Sequence, residues 1–247
     1  MHFSSDRIHY SPTSSSGMRS DSNGSTNMID YRNVIRVVGF DLDQTLYPKS
    51  PEVDVAIQGY LYGKIAEHRG VSRDVAAELF RERYREGRGL GGTATLRDLG
   101  IPNASAIIQE ALEAADIAEF LKPDPTLLAL LTEIRERYGS IDLITGSNRS
   151  NAEKKLSHLG IPITLFSHLI TADDASKSTG EAYELWCGRY PDVAPRQFLY
   201  VGDRVRSDYE IPRRLGIETV LVYVKTPDPG VLCPQLASPL ELRALLL

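Results

Sequence analysis

The chain has little cysteine, little histidine and no surplus of positive charge. Two cysteines, Cys187 and Cys233, stand far apart among 247 residues and form no metal-type pair. They are expected as small core or surface residues in a reducing, cytoplasmic setting. The five histidines include His68, His158 and His168, which share no ligand-like spacing and read as structural. With 28 basic against 33 acidic residues, a net charge of −5 gives no electrostatic reason to expect a nucleic-acid polymer or a membrane as partner. No apolar run approaches the length of a membrane span. What remains is ordinary soluble-protein composition, with 42% hydrophobic and 25% charged residues, enough for one large domain or two small ones.

Residues 1–32 differ from the rest. Serine crowds them and aliphatic residues are few, so they bury too little apolar surface to offset chain entropy and are expected to be a disordered tail. The tail lacks the apolar stretch of a secretory signal, and its serine leaves organellar targeting open.

Beyond the tail, helical and strand patterns alternate unevenly. Val37 to Phe40 reads as a buried strand. Residues 50–120 then show helical spacing without a strand. Val53, Ile57, Tyr60, Leu61 and Ile65 mark one helix ended by Gly70. Ser72 caps a second, a third is short, and Asn103 caps a fourth. Four glycines between Gly87 and Gly92 interrupt them. From Lys122 onward helices and strands alternate. Strands are expected at 141–144, 169–170, 198–201 and 219–224, and helices at 126–137, 151–159, 180–189, 208–215 and 240–246. Such alternation implies an α/β fold with a parallel sheet flanked by helices. Ligands in such sheets bind beyond the carboxyl ends of the strands.

Chemistry-bearing residues gather at those ends. The first strand runs into Asp41 and Asp43. If extended geometry continued through Asp43, both carboxylates would project the same way and repel each other. A divalent cation or a lysine is the usual remedy. Thr145, Gly146 and Ser147 follow the second strand, Lys177 lies in a later loop, and Asp203 and Asp208 follow Phe198–Gly202. Each has a plainer reading as a turn residue, a helix cap or a solvated lysine. Their order and spacing as a set outweigh those readings.

In this order the four segments resemble the haloacid dehalogenase superfamily of phosphatases, over about residues 35 to 245. The resemblance implies a Rossmann-like core from residues 33–49 and 121–247, with 50–120 as a small all-α cap domain inserted after the first strand. It implies Asp41 as the nucleophile, forming an aspartyl-phosphate. Asp43 would be general acid and base. Mg²⁺ would be held by the Asp41 carboxylate, the Asp43 main-chain carbonyl and the Asp203 carboxylate. Asp208 would orient Lys177 or a metal-bound water. Thr145, Gly146, Ser147 and Lys177 would bind the phosphate. Dehalogenating members lack an acid two residues after the nucleophile, so Asp43 favours phosphate-ester hydrolysis.

The phrase from Phe40 to Pro48, and that from Gly92 to Leu99, look like the pyrimidine 5′-nucleotidase group. Gly146, where that group commonly has Asn, and Ser178, where it commonly has Pro, depart from it. The expected substrate is a small phosphorylated metabolite, first a nucleoside 5′-monophosphate, with sugar phosphates and phosphoglycolate as alternatives. Phosphomutase activity and a non-catalytic binding role are the competing functions. Tyr47, Arg85, Arg88 and Arg97 are candidate substrate contacts.

Overall fold

The computed structural model describes residues 30–48, 50–86, 92–114 and 120–247. The Ser-rich segment before residue 30 and most of the glycine-rich stretch lie outside them. A short helix, α1 (Tyr31–Val34), leads into strand β1 (Val37–Phe40). Four helices follow: α2 (Pro51–Arg69), α3 (Arg73–Glu86), α4 (Gly92–Asp98) and α5 (Ala104–Ala114). Then come α6 (Pro125–Tyr138), β2 (Ile141–Ile144), α7 (Arg149–His158), β3 (Leu169–Ile170), α8 (Glu181–Gly188), β4 (Phe198–Gly202), α9 (Ile211–Arg214), β5 (Glu218–Leu221) and α10 (Leu242–Leu246). Among the described residues no helix is long and apolar enough to cross a membrane.

The strands form one parallel sheet in the order β3-β2-β1-β4-β5. Parallel strands need cover on both faces, and their alternation supplies two sets of side chains. Val38, Phe40, Leu143, Leu199 and Val201 pack with Leu127, Leu130 and Leu131 of α6, Leu156 of α7 and Leu242 of α10. Val37, Ile144, Phe198 and Tyr200 pack with Tyr183 and Trp186 of α8 and Ile211 of α9. Trp186 lies so close to β1 that a Cβ on Gly39 would stand 2.6 Å from its ring and 2.7 Å from Ile144. Buried Asp142 on β2 is also satisfied from this side, accepting from Trp186 Nε1 at 2.8 Å, the Tyr190 hydroxyl at 2.6 Å and the His168 amide at 2.9 Å. His168 is thus structural.

Helices α2 to α5 enclose a core of their own, with Leu61, Tyr62, Ile65, Ala76, Phe80, Leu96 and Leu99 at its centre. Their ends follow from local chemistry. Ser50 caps α2 by accepting from the Val53 amide, Gly70 ends it in the left-handed region, and Ser72 caps α3 by accepting from the Val75 amide. Ile57 of α2 packs against both this core and that of the sheet, and Val53 belongs to the sheet's core.

Two expectations are corrected. β5 stops at Leu221 rather than 224, because the chain there pairs instead with residues 234–236, and Tyr223 takes a left-handed φ of 56°. The stretch before α9 is not plain α-helix. Val205–Glu210 forms a π-helix, a rare form that recurs at functional sites.

Adding a side chain at Gly39 should be costly. Gly39→Val is expected to lower unfolding free energy by about 1–3 kcal/mol, read by urea denaturation with an unchanged m-value.

Candidate active site

β1 ends at Phe40, and the chain turns at Asp43 to Thr45. Gln44 occupies the left-handed region at φ 60°, at a cost of roughly 1–2 kcal/mol for a residue with a side chain. Asp43 itself lies in this turn, which the Thr45 amide closes on the Leu42 carbonyl at 3.3 Å, so the strand does not extend through it. The two carboxylates meet different cations.

Asp41 lies at the mouth of β1 with its amide on Val201 of β4. Its Oδ1 accepts from Lys177 Nζ at 2.7 Å. Lys177 also contacts Asp208 Oδ1 at 2.8 Å and sits 5.1 Å from the centre of the Tyr200 ring. All three charged side chains are buried. Burial pushes the Asp41 carboxyl above its ordinary value against the pull of Lys177, and Asp208 and Asp43 add to the rise. Burial works to lower the Lys177 ammonium, but Asp208 and Asp41 outweigh it and raise it.

Asp208 is placed by the π-helix. Its Oδ2 accepts from the amides of Asp203 at 3.1 Å and Arg204 at 2.9 Å, so the carboxylate ties the end of β4 to the helix that follows. Only glycine fits at position 202, where a Cβ would stand 2.4 Å from the Asp208 side chain. Burial raises the Asp208 carboxyl, but Lys177 and the Arg204 amide overcome it and hold it below its usual range.

Carboxylate oxygens of Asp41, Asp203 and Asp208 lie within 4.8 Å of one another. Asp203 Oδ1 is buried without a hydrogen-bond partner. Burial, then Asp41 and Asp208, push the Asp203 carboxyl up to about 8. A buried oxygen with no hydrogen-bond donor, in a cluster of three carboxylates that Lys177 and Arg204, 3.9 Å from Asp203 Oδ1, do not fully balance, fits a hard divalent cation.

Asp43 belongs to a second network. Its Oδ1 accepts from Lys155 Nζ at 2.6 Å and the Tyr47 hydroxyl at 2.5 Å, and its Oδ2 accepts from Ser147 Oγ at 2.7 Å. Burial works to raise Asp43, but Lys155 and then the Tyr47 and Ser147 hydrogen bonds hold it well below the usual carboxylate range.

Thr145, with no exposed surface, continues β2, and its Oγ1 accepts from the Ser147 amide at 3.1 Å. Gly146 and Ser147 follow it, and Asn148 caps α7 by accepting from the Asn151 amide at 2.8 Å. The loop thus ends at a helix N-terminus, where main-chain amides favour an anion.

Asp41, Asp43, Thr145, Ser147, Lys177, Asp203 and Asp208 are therefore linked in space. Tyr47 is buried, its hydroxyl spent on Asp43 rather than open to a substrate. Arg97 donates to Ser105 at 3.2 Å, Arg88 lies outside the described residues, and so does the Arg85 side chain. Sequence reasoning missed Lys155. Its available signal was helical spacing: Lys155 stands three residues after Ala152 and beside Leu156, both on the buried face of α7.

A family model described as haloacid dehalogenase-like hydrolase matches residues 35–216. A glyceraldehyde 3-phosphate phosphatase from Methanopyrus kandleri is 26% identical over 198 residues, which cover 76% of this chain and 84% of that protein. Two solved structures share the fold at a TM-score of 0.61 and 21% identity. One is an HAD phosphatase from Thermococcus onnurineus, covering 85% of this chain and 97% of that one. The other is the haloacid dehalogenase-like protein SP0104 from Streptococcus pneumoniae, covering 85% and 98%.

Removing the shared cation should expose the charge imbalance. Lys177→Met is expected to cost about 3–5 kcal/mol of stability, measured by urea unfolding without divalent metal.

Proposed function

The chain belongs to the haloacid dehalogenase-like hydrolase family and is a phosphoric monoester hydrolase; on that premise we propose that it hydrolyses a small phosphorylated metabolite through an aspartyl-phosphate formed on Asp41. The observation that carries this reading is the separation of the two carboxylates. Asp41 is bound to Lys177 beside the acidic cluster, and Asp43 stands in its own network two residues on.

The chemistry divides accordingly. Asp41 attacks phosphorus as the bond to the leaving oxygen breaks, and Asp43 delivers a proton to that oxygen. In the second half a water attacks phosphorus, the bond to Asp41 breaks, and Asp43 takes the water's proton. That proton leaves with the released phosphate, which returns Asp43 to the carboxylate, and the next ester arrives with the proton that Asp43 passes to the leaving oxygen. The resting Asp43 is a carboxylate, suited to the base half. An arriving phosphate adds negative charge nearby and raises its proton affinity, as the acid half requires. Lys177, the Thr145 hydroxyl and the main-chain amides after it offset charge on the phosphate oxygens. Asp41, Asp203 and the Asp43 main-chain carbonyl would hold Mg²⁺, with Asp208 orienting Lys177 by its fixed ion pair. When bound, the ion supplies positive charge against the phosphate oxygens.

We read helices α2 to α5 as the cap, which covers the site and contributes substrate contacts. A small sugar phosphate is the favoured substrate, supported by the name of the Methanopyrus kandleri relative. A nucleoside 5′-monophosphate is the second reading, supported by the phrase from Phe40 to Pro48 with its Tyr47. Comparing kcat/KM across triose, pentose and hexose phosphates, phosphoglycolate and nucleotides decides between them. Exclusive transfer of phosphate between positions of one sugar would instead indicate a mutase.

Asp41→Asn is expected to slow phosphate release from an aryl phosphate by at least on the order of 10⁴-fold while circular dichroism stays unchanged. Full activity in that variant would sink the covalent mechanism. Mg²⁺ should raise the melting temperature of the wild-type protein, as any ligand of the folded state does, and do so far less in Asp203→Asn. An equal rise in both would remove Asp203 from the metal site.

A further inference from the structure

A buried lysine that no part of the reaction yet uses demands an account. Lys155 is only 3% exposed, although lysine is among the residues least often buried. Its neighbours on α7, Ala152 and Leu156, belong to the hydrophobic core, so the ammonium reaches the site along an apolar wall. There Nζ donates to Asp43 Oδ1 at 2.6 Å and to Ser147 Oγ at 2.9 Å, and Ser147 Oγ donates on to Asp43 Oδ2 at 2.7 Å. The three side chains close a triangle. The Tyr47 hydroxyl adds a third donor to the carboxylate, at 2.5 Å from Asp43 Oδ1.

We propose that Lys155 is a positioning residue that holds the Asp43 carboxylate in one orientation, with Ser147 and Tyr47 as its supports. This rests on the phosphatase reading above, in which Asp43 moves the proton. Three donors occupy both Asp43 oxygens, so free rotation about the carboxylate's bond is lost. The donors come from separate places, Tyr47 after β1, Ser147 from the loop after β2 and Lys155 from the second half of α7. Without the ammonium, Ser147 Oγ and the Tyr47 hydroxyl are left as neutral donors, and each can follow the carboxylate into other rotamers. A catalytic group displaced by about 1 Å loses on the order of 10²-fold in rate.

The arrangement also redefines Ser147. Its main-chain N–H was expected near the phosphate; that amide donates to Thr145 Oγ1 at 3.1 Å, and its hydroxyl is engaged with Asp43 at 2.7 Å.

A positioning role predicts a pattern that a merely structural role does not. An alkyl phosphate has a poor leaving group and depends on protonation by Asp43. An aryl phosphate such as 4-nitrophenyl phosphate departs with little help. Lys155→Met should lower kcat on an alkyl phosphate by about 10–100-fold, the usual effect of removing such a support. KM should move less than about threefold, and kcat/KM, which reports the step that expels the alcohol and not the water step common to both esters, should fall far less on the aryl ester than on the alkyl ester. Lys155→Arg should recover part of the alkyl-phosphate rate. An unchanged kcat/KM on the alkyl ester, an equal loss of kcat/KM on both esters, or a rise in KM alone would overturn the proposal. If Lys155→Met does not fold, Lys155→Gln, which keeps a neutral donor on a similar stem, decides by the same comparison. Wild-type protein that releases phosphate from neither ester would sink the phosphatase reading itself. Active wild-type protein with an equally active Lys155 variant sinks only this inference.

Discussion

The ion pair between Lys177 and Asp41 is the contact on which the rest of the site depends. It joins the end of β1 to a loop more than a hundred residues later, at 2.7 Å and out of water. Neither charge is tolerable alone at that depth. The pair extends to Asp208, whose other oxygen is bound by two main-chain amides at the end of β4. One ammonium therefore binds together the ends of two neighbouring strands and the loop before α8. The glycine at 202 and the π-helix after it are the backbone conditions that let Asp208 reach this place.

Charge is partitioned around that contact. Lys177 serves Asp41 and Asp208, while Lys155 serves Asp43. Two aspartates two residues apart thus occupy different electrostatic settings, Asp41 raised by burial and Asp43 held low by its donors. Differing environments for similar groups suit the two roles proposed for them, one carboxylate bonding to phosphorus and the other moving protons. Asp41 ends on Lys177 and Asp43 on Lys155, so each carboxylate has a cation of its own.

The two hydrophobic cores fit the same plan. The sheet with α6, α7, α8, α9 and α10 forms a rigid base whose strand ends carry the charged groups. Helices α2 to α5 form a second core inserted between β1 and β2, linked to the first through the start of α2. An insertion at that point leaves the order of sheet strands undisturbed and puts its entry directly after the turn bearing Asp43 and Tyr47.

Much of this was legible in the residues themselves. Short β-branched and aromatic runs marked β1, β2 and β4, because a strand buried on both faces is nearly all apolar. Gly70 and Ser72 announced helix ends, because capping is local chemistry, while the caps at Ser50 and Asp124 emerged only with the structure. Asp41, Thr145 and Asp203 stood at strand ends that the apolar runs reveal, whereas Lys177 and Asp208 were singled out through the resemblance to the haloacid dehalogenase superfamily. Other features were decided only by tertiary structure. Lys155 looks like one more charge in Glu153-Lys154-Lys155, and only the packing of α7 on the sheet turns it inward to Asp43. The end of β5 depended on a pairing with residues 234–236 that no local pattern encodes. Local preference determined the elements and the identities of the reactive groups. Which cation meets which carboxylate was settled by long-range packing, because a buried charge takes whatever partner the fold brings within reach.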